Sequence, residues 1–451
     1  MKERPSYLAA PEGVKRGHDQ CLRPGGAAYT FPFVYLAYTV ITAALAVVAA
    51  PFFLWKGRGT GKYVRTFRER MSGPTRLSPA GDSIWVHAVS VGEVLAARPL
   101  IERLKERFPG MPLYVSTTTV TGNAVAQKAA SRADGLFFAP FDWPRPVGRT
   151  LSRLKPRLLV LVETEIWPNL IHEARRRGIR VAVVNGRISP RSFRRYLWVR
   201  RLLTRVLHEV DLFLMQSDTH SDRIRRIGAP GDRVRTIGNM KYDALSRTGA
   251  PEALVRLVAP NASPLWVAGS TAEGEEAAVL GAFRALRERV PQARLLIAPR
   301  HPERFETVVA LAQASGFRVA RRSTLATPWT GDVLVLDTLG ELAAVYSLAT
   351  VVFVGGSLVP SGGHNILEAA VHGKAVVVGP HMENFQEMAE LFLAAGALVQ
   401  VPNAEALSDS MLELVADDAK RGRIGEAART LIDGHRGAVE RTVDALSSLV
   451  A

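Results

Sequence analysis

From residue 84 onward, short apolar runs alternate with longer segments of 3.6-residue periodicity, the pattern of strands and helices in turn. SIWVHAVS reads as a buried strand, after which Val94, Ala97, Ile101, Leu104 and Phe108 mark one face of a helix. LYVSTTT, GLFFAP, RLLVLVE, RVAVVNG and DLFLMQ continue the strand series, each separated by a helical or turn-rich stretch. This predicts a parallel α/β sheet with active groups at the strand C-terminal ends. Residues 242–265 carry Pro and Gly punctuation and no strand signal, so the domain junction is placed there. A second series follows: LWVAGS, RLLIAPR, RVA, DVLVLD, TVVFVGGS, AVVVGP and ALVQV. Two similar α/β halves with a crevice between them suit a bound pair of substrates.

Ahead of these series the pattern is different. No charged residue occurs between Arg23 and Lys56, and FVYLAYTVITAALAVVAAPFFLW fills residues 33–55. Roughly 20 apolar residues in a helix match a hydrocarbon layer about 30 Å thick. Tyr35, Tyr38 and Trp55 lie near its ends, where aromatic belts form. The run is too long for a signal-peptide core, and no small-residue cleavage site follows it. A retained anchor is expected, either spanning the bilayer or lying in one leaflet. Lys56, Arg58, Lys62, Arg65, Arg68 and Arg70 follow it, against Lys15, Arg16 and Arg23 before it. The positive-inside bias then places the large C-terminal part on the cytoplasmic face.

Composition adds three constraints. An apolar share of 47% with 22% charged residues belongs to a globular chain. A single cysteine, Cys21, excludes an internal disulfide framework and a multi-cysteine zinc site. The formal charge of +16, concentrated in Arg175-Arg176-Arg177 and in Arg191 to Arg205, favours polyanionic partners: nucleic acid, anionic lipid or phosphorylated substrates. Solvated helix faces in an Arg-rich chain account for the same charge. The chain has no RRM, KH or zinc-finger signature, and its aromatics do not interleave with its basic runs, so nucleic acid is not an expected partner.

Four constellations carry candidate chemistry. Ser90-Val-Gly-Glu93, between a strand and a helix, is a capping box. Glu93 also stands at a strand end facing the crevice, as a general base would, with the helix dipole keeping it ionised. Glu163-Thr-Glu165-Ile-Trp-Pro-Asn169 follows an apolar strand. Its two carboxylates could bind a cation or orient a hydroxyl, or Glu165 could merely serve the Pro-initiated helix. Gly355-Gly356-Ser357 and Ser361-Gly362-Gly363-His364-Asn365-Ile366-Leu367-Glu368 lie between a buried strand and an Ala-rich helix. Glycines admit close approach to a ligand and a helix N-terminus attracts phosphate, although the spacing fits neither GxGxxG nor the P-loop. Glu368 could reach ribose hydroxyls or be an ordinary first-turn acid. The fourth group is Gly269-Ser270-Thr271 with Pro299-Arg300-His301, whose cations could clamp phosphate or carboxylate oxygens or act as surface salt-bridge partners. Lys241, beside the junction, is a further cation facing the crevice. No His cluster has metal-ligand spacing, and neither a catalytic metal nor a cofactor is expected.

Taken together, HAVSVGEVLAARPLI, ETEIWPNLI, NGRIS, GNMKYD, GSTAEGEE, APRHPERF, DTLGEL, FVGGSLVPSGGHNILEAA and GPHMENF resemble the 3-deoxy-D-manno-octulosonic acid (Kdo) transferases of lipopolysaccharide assembly. They run in family order from about residue 85 to 385. The resemblance implies a GT-B fold: a membrane anchor over 31–55, an acceptor-binding Rossmann-like domain over 56–245, and a donor-binding one over 246–451. The last helix is a candidate to pack back on the first domain. The implied donor is CMP-Kdo and the implied acceptor a lipid A precursor of the lipid IVA type, met at the cytoplasmic face of a bacterial inner membrane. Glu93 corresponds to the family's base, and Glu163 and Lys241 to its transition-state stabilisers. Pro299-Arg300, Leu339-Gly340-Glu341 and Asn365 to Glu368 correspond to its CMP contacts. Ser270, His301, Gly356 and Ser357 complete the expected donor site. Direct displacement would invert the anomeric configuration. The tail over 1–30 departs from the family, whose members start close to the anchor, which bears on the start codon and not on the site. A GT-B enzyme using a UDP-sugar and a non-catalytic membrane-associated binder are the competing readings.

Overall fold

Two all-parallel sheets organise the chain. The first contains β1 (Ser83–His87), β2 (Leu113–Thr117), β3 (Gly135–Phe138), β4 (Pro156–Val162), β5 (Arg180–Gly186), β6 (Leu212–Met215) and β7 (Val234–Thr236). Their order across the sheet is β3-β2-β1-β4-β5-β6-β7. The second contains β8 (Leu265–Thr271), β9 (Arg294–Pro299), β10 (Val319–Arg321), β11 (Val333–Val335), β12 (Val351–Val354), β13 (Ala375–Val378) and β14 (Val399–Gln400). It is ordered β10-β11-β9-β8-β12-β13-β14. This computed structural model describes residues 31–57, 62–75, 77, 81–258 and 263–450.

Why these residues form parallel sheets is visible in their burial. Every residue of β1, β2, β12 and β13 is buried, as strands covered by helices on both faces must be. One core packs Ile84, Val86, Leu158 and Val160 against the helix Val91–Arg107. Two others cover the faces of the second sheet, one around Val267 and Val352, the other around Trp266 and Phe353. The helix Ala438–Val450, last in the chain, buries Val439, Val443 and Leu446 in the first core, not the second.

In each sheet one pair of neighbouring strands marks a reversal of the winding: β1 beside β4, and β8 beside β12. In open α/β sheets ligands bind outside the strand C-termini at such points. The capping-box and ETEIWPN segments leave the first point, and the GSTAEGEE and GGS segments leave the second.

The expected anchor forms one helix, Phe31–Gly57, which belongs to a different compact unit from the one holding both sheets. Its side chains are described over 33–49. Among the described residues no helix is long and apolar enough to cross a membrane, so the spanning reading is not carried by the structure. The expected tail, residues 1–30, lies outside the described residues.

Candidate active site

After β1 the chain turns through Ala88 to Ser90 and enters the helix Val91–Arg107. Ser90 is its N-cap, and its hydroxyl donates to Glu93 Oε1 at 2.8 Å. Glu93 Oε2 accepts the Val89 N–H at 2.7 Å. The capping box is therefore present, closing on Val89 instead of on the cap's own N–H. Glu93 is buried, and burial pushes its carboxyl up to about 7. The Ser90 and Val89 hydrogen bonds pull the other way, while the charges of Glu163 and Glu165 add to the rise. Desolvation thus outweighs the helix terminus that was expected to keep this group ionised. A carboxyl poised near neutrality suits proton abstraction better than one of ordinary acidity.

Across the winding reversal, Glu163 follows β4 in a left-handed conformation, with φ of 59°. Such backbone is sparsely populated for a residue with a side chain and tends to sit where function demands it. Glu163 Oε1 lies 3.3 Å from Lys241 Nζ. A relay of amides sets that lysine. Its N–H donates to Asn239 Oδ1 at 3.0 Å, Asn239 donates to Gln216 Oε1 at 3.1 Å, and Gln216 donates to the Asn185 carbonyl at 2.9 Å. Glu165 accepts the Trp167 indole N–H at 2.7 Å, and burial raises its carboxyl. Trp167 meets the His87 ring edge-on, with centroids 4.8 Å apart. Burial holds that imidazole down at about 4, with Arg70 adding to the fall and the Ser116 hydrogen bond opposing it. The ring beside Trp167 is therefore neutral at pH 7.

The second domain contributes a separate polar group. Pro299 ends β9, and the Arg300 N–H donates to the Thr271 carbonyl at 2.9 Å. Ser270, inside β8, takes a left-handed φ of 56°. Burial, then the charges of Arg300 and His301, hold the His364 imidazole at about 4. Burial raises the Glu368 carboxyl, while Asn365 and Arg300 oppose the rise. Gly356 is required here, because a Cβ would lie 2.9 Å from the His364 ring. Asn365 Oδ1 accepts the Leu367 N–H at 3.2 Å, just ahead of the short helix Leu367–Ala370.

Three features of this half bear on the expected donor site. The Gly356 and Ser357 N–H groups donate to the fully buried Glu275 carboxylate at 2.7 and 2.8 Å. The Ala272 and Leu358 N–H groups join them at 2.8 and 2.7 Å. The Ser357 hydroxyl also points inward, donating to the Val354 carbonyl at 2.6 Å. Ile366 and Leu367 bury their side chains in the second domain's core, which leaves only their backbone for a ligand. Glu341 accepts from Arg322 at 2.8 Å and from the Thr338 hydroxyl, while Leu339 beside it is 80% exposed and Gly340 has φ of 88°. Sequence reasoning named His364 only within its glycine-rich run and missed Glu275, for which the paired acids of GSTAEGEE were the available signal. Among the described residues no three His, Cys, Asp or Glu side chains stand close enough to hold a metal ion.

Two Rossmann-like domains, with polar groups gathered at the winding reversal of each, make up the GT-B architecture. Solved structures agree on the fold. The UDP-GlcNAc 2-epimerase of Neisseria meningitidis superposes with a TM-score of 0.58 at 15% identity, covering 81% of this chain and 100% of that one. A glycosyltransferase from Rickettsia africae gives 0.54 at 13% identity, covering 82% and 99%. Residues 65–244 match the family described as 3-deoxy-D-manno-octulosonic-acid transferase (kdotransferase), and residues 277–431 match glycosyl transferases group 1. The 3-deoxy-D-manno-octulosonic acid transferase of Bordetella pertussis is 37% identical over 90% of this chain and 98% of its own length. That of Haemophilus influenzae is 33% identical over 82% and 87%. The chain belongs to the Kdo transferase family.

Proposed function

We propose that this transferase moves Kdo from CMP-Kdo to a lipid A precursor of the lipid IVA type, with inversion, and with Glu93 as the base. The observation that carries the reading is the Glu93 carboxyl itself: buried, held by Ser90 and Val89, and raised to about 7 beside Glu163 and Glu165. CMP is a good leaving group, so the chemical demand falls on the acceptor hydroxyl. Glu93 takes its proton as the oxygen attacks the anomeric carbon from the face opposite the phosphate. The bond from that carbon to the phosphate oxygen breaks, and CMP departs with the electron pair. Lys241, paired with Glu163, and Arg300, beside His364 and Glu368, supply positive charge for the donor's carboxylate and phosphate.

Membrane contact fits an acyl-chain-bearing acceptor. On the helix Phe31–Gly57, Phe33, Val47 and Val48 are each more than 70% exposed. In the first domain, the helix Pro190–Trp198 buries no residue and ends on Trp198, which is 90% exposed. Among the described residues no carboxylate pairs with Arg194, Arg195, Arg200 or Arg201 around it, whereas Arg175, Arg176 and Arg177 are tied to Asp211 and Glu173. The docking surface is therefore assigned to residues 191–201, at the cytoplasmic face of the inner membrane. Replacing those arginines by Ser should weaken acceptor use; unchanged acceptor kinetics would discard this surface.

The deciding experiment is mass analysis of products from purified protein, CMP-Kdo and a tetra-acylated lipid A precursor. Kdo addition is expected from the native protein. Glu93→Gln should bind CMP normally and lose about 10²–10⁴-fold in rate, the usual contribution of a positioned base. Near-normal transfer by the folded variant would reduce Glu93 to a helix cap.

A further inference from the structure

Base and donor loop lie on different domains, so their separation is set by whatever joins the two. At residues 384–387 the join is specific. Arg187 Nη2, in the first domain, donates to the Asn384 carbonyl in the second at 3.0 Å. Glu387 accepts from His220 Nε2 at 3.0 Å and from Arg223 Nη1 at 3.3 Å.

Each end of this join is tied to a segment of the site. In the first domain the Arg187 N–H donates to the Thr164 hydroxyl oxygen at 2.9 Å, and Thr164 sits between Glu163 and Glu165. The neighbouring Ile188 is gripped from both sides: its N–H donates to His220 Nδ1 at 3.2 Å, and its carbonyl accepts from Arg223 at 2.7 Å. With Nδ1 accepting, the His220 proton lies on Nε2, directed at Glu387. In the second domain the Asn384 N–H donates to the Gly362 carbonyl at 2.9 Å, and its side-chain amide donates to the Ser361 carbonyl at 3.2 Å. A Cβ on Gly362 would lie 2.2 Å from the Asn384 amide, so the loop and Asn384 are packed without slack. Gly363 follows, its N–H on the Gly356 carbonyl at 2.7 Å, and the chain then runs directly into His364, Asn365 and Glu368.

We propose that Arg187 and Glu387 form an interdomain latch that fixes the 163–165 carboxylate segment against the 361–368 loop. They are positioning residues for transfer, not ligands of either substrate. The assignment of catalytic roles to those two segments rests on the function proposed above. Misplacing two reacting groups by about 1 Å lowers a rate far more than it weakens binding at either site alone. The latch therefore acts on kcat and spares CMP affinity.

The test uses the full chain with Arg187→Ala, Arg187→Lys and Glu387→Gln, the last changing one atom on a half-exposed side chain and so protecting the experiment against misfolding. Calorimetric titration with CMP, transfer kinetics and amide hydrogen exchange are measured on each. Expected results for Arg187→Ala and Glu387→Gln are CMP affinity within about twofold of native, a kcat lower by about tenfold or more, and faster exchange over 361–365 and 380–387. Arg187→Lys, which still offers a donor to the Asn384 carbonyl, should recover part of kcat. Native exchange in both disruptive variants would overturn the latch, and so would native kcat despite faster exchange. A fall in CMP affinity matching the fall in kcat would make Arg187 a donor ligand and likewise overturn it. Failure of the native protein to transfer Kdo would count against the function alone, because exchange reads the latch without substrate.

Discussion

A carboxyl held near 7 is about half ionised at neutral pH, and for Glu93 the main cause is burial. Proton concentration then acts directly on the reaction. The kcat/KM for transfer should rise about tenfold per pH unit below 7 and level off above it. Glu165→Gln keeps an oxygen for the Trp167 N–H but removes one of the two charges raising Glu93, so the acid limb should move to lower pH. A limb that stays in place would take Glu165 out of the base's field. The same shift has a stability consequence. Because the folded state binds this proton more tightly than the unfolded chain, the group costs nothing well below its ordinary range, and the cost grows as pH rises through about 7. Above that the full difference is about 3 kcal/mol. Glu93→Gln should therefore gain about 1–3 kcal/mol at pH 8 and little at pH 4, measured by urea unfolding. Equal gains at both pH values would mean the stabilisation comes from something other than desolvated charge. The capping box was legible in Ser90 and Glu93; the burial that overrides the helix terminus was not, nor were the charges of Glu163 and Glu165, which arrive from another strand end.

At the scale of elements, the strand series was legible because parallel strands covered on both faces leave continuous apolar runs. The loop after β12 shows where such reading stops. Its glycine density suggested a phosphate cradle, yet its N–H groups are spent on Glu275, about eighty residues earlier in the chain. Local pattern records that a backbone approaches something closely; it does not record whether that partner is a ligand or the chain's own carboxylate. Each Glu275 oxygen accepts two N–H groups: Ser357 and Leu358 on Oε1, Ala272 and Gly356 on Oε2. Glu275→Gln keeps one acceptor and turns an amide NH₂ against two donors, at a cost of about 3–5 kcal/mol. Loss of CMP affinity should accompany it, since the His364 ring packs on Gly356. A cost below about 1 kcal/mol in urea unfolding would show that the loop holds its shape without the carboxylate.

Over the whole molecule, chain order and core membership part company at the C-terminus. The two strand series were readable from their apolar runs, and β7 and β8 belong to different sheets. The order β10-β11-β9 was not, since no local signal tells a strand which neighbour it will pair with. The helix Ala438–Val450 follows the second sheet in sequence but completes the first core. Asp243 fixes its start by accepting the Gly437 and Val439 N–H groups at 2.6 and 2.9 Å. Leu446 is fully buried among first-domain residues, so Leu446→Ala opens a cavity there and should cost about 2–5 kcal/mol. The location of the damage is the sharper test. Amides of β1, β4 and β5 should exchange faster while those of β8 and β12 keep native protection, although the substituted residue lies beyond every strand of the second sheet. If the second sheet loosened equally, the two cores would unfold as one cooperative unit, and the crossing helix would be joining their stabilities instead of belonging to the first.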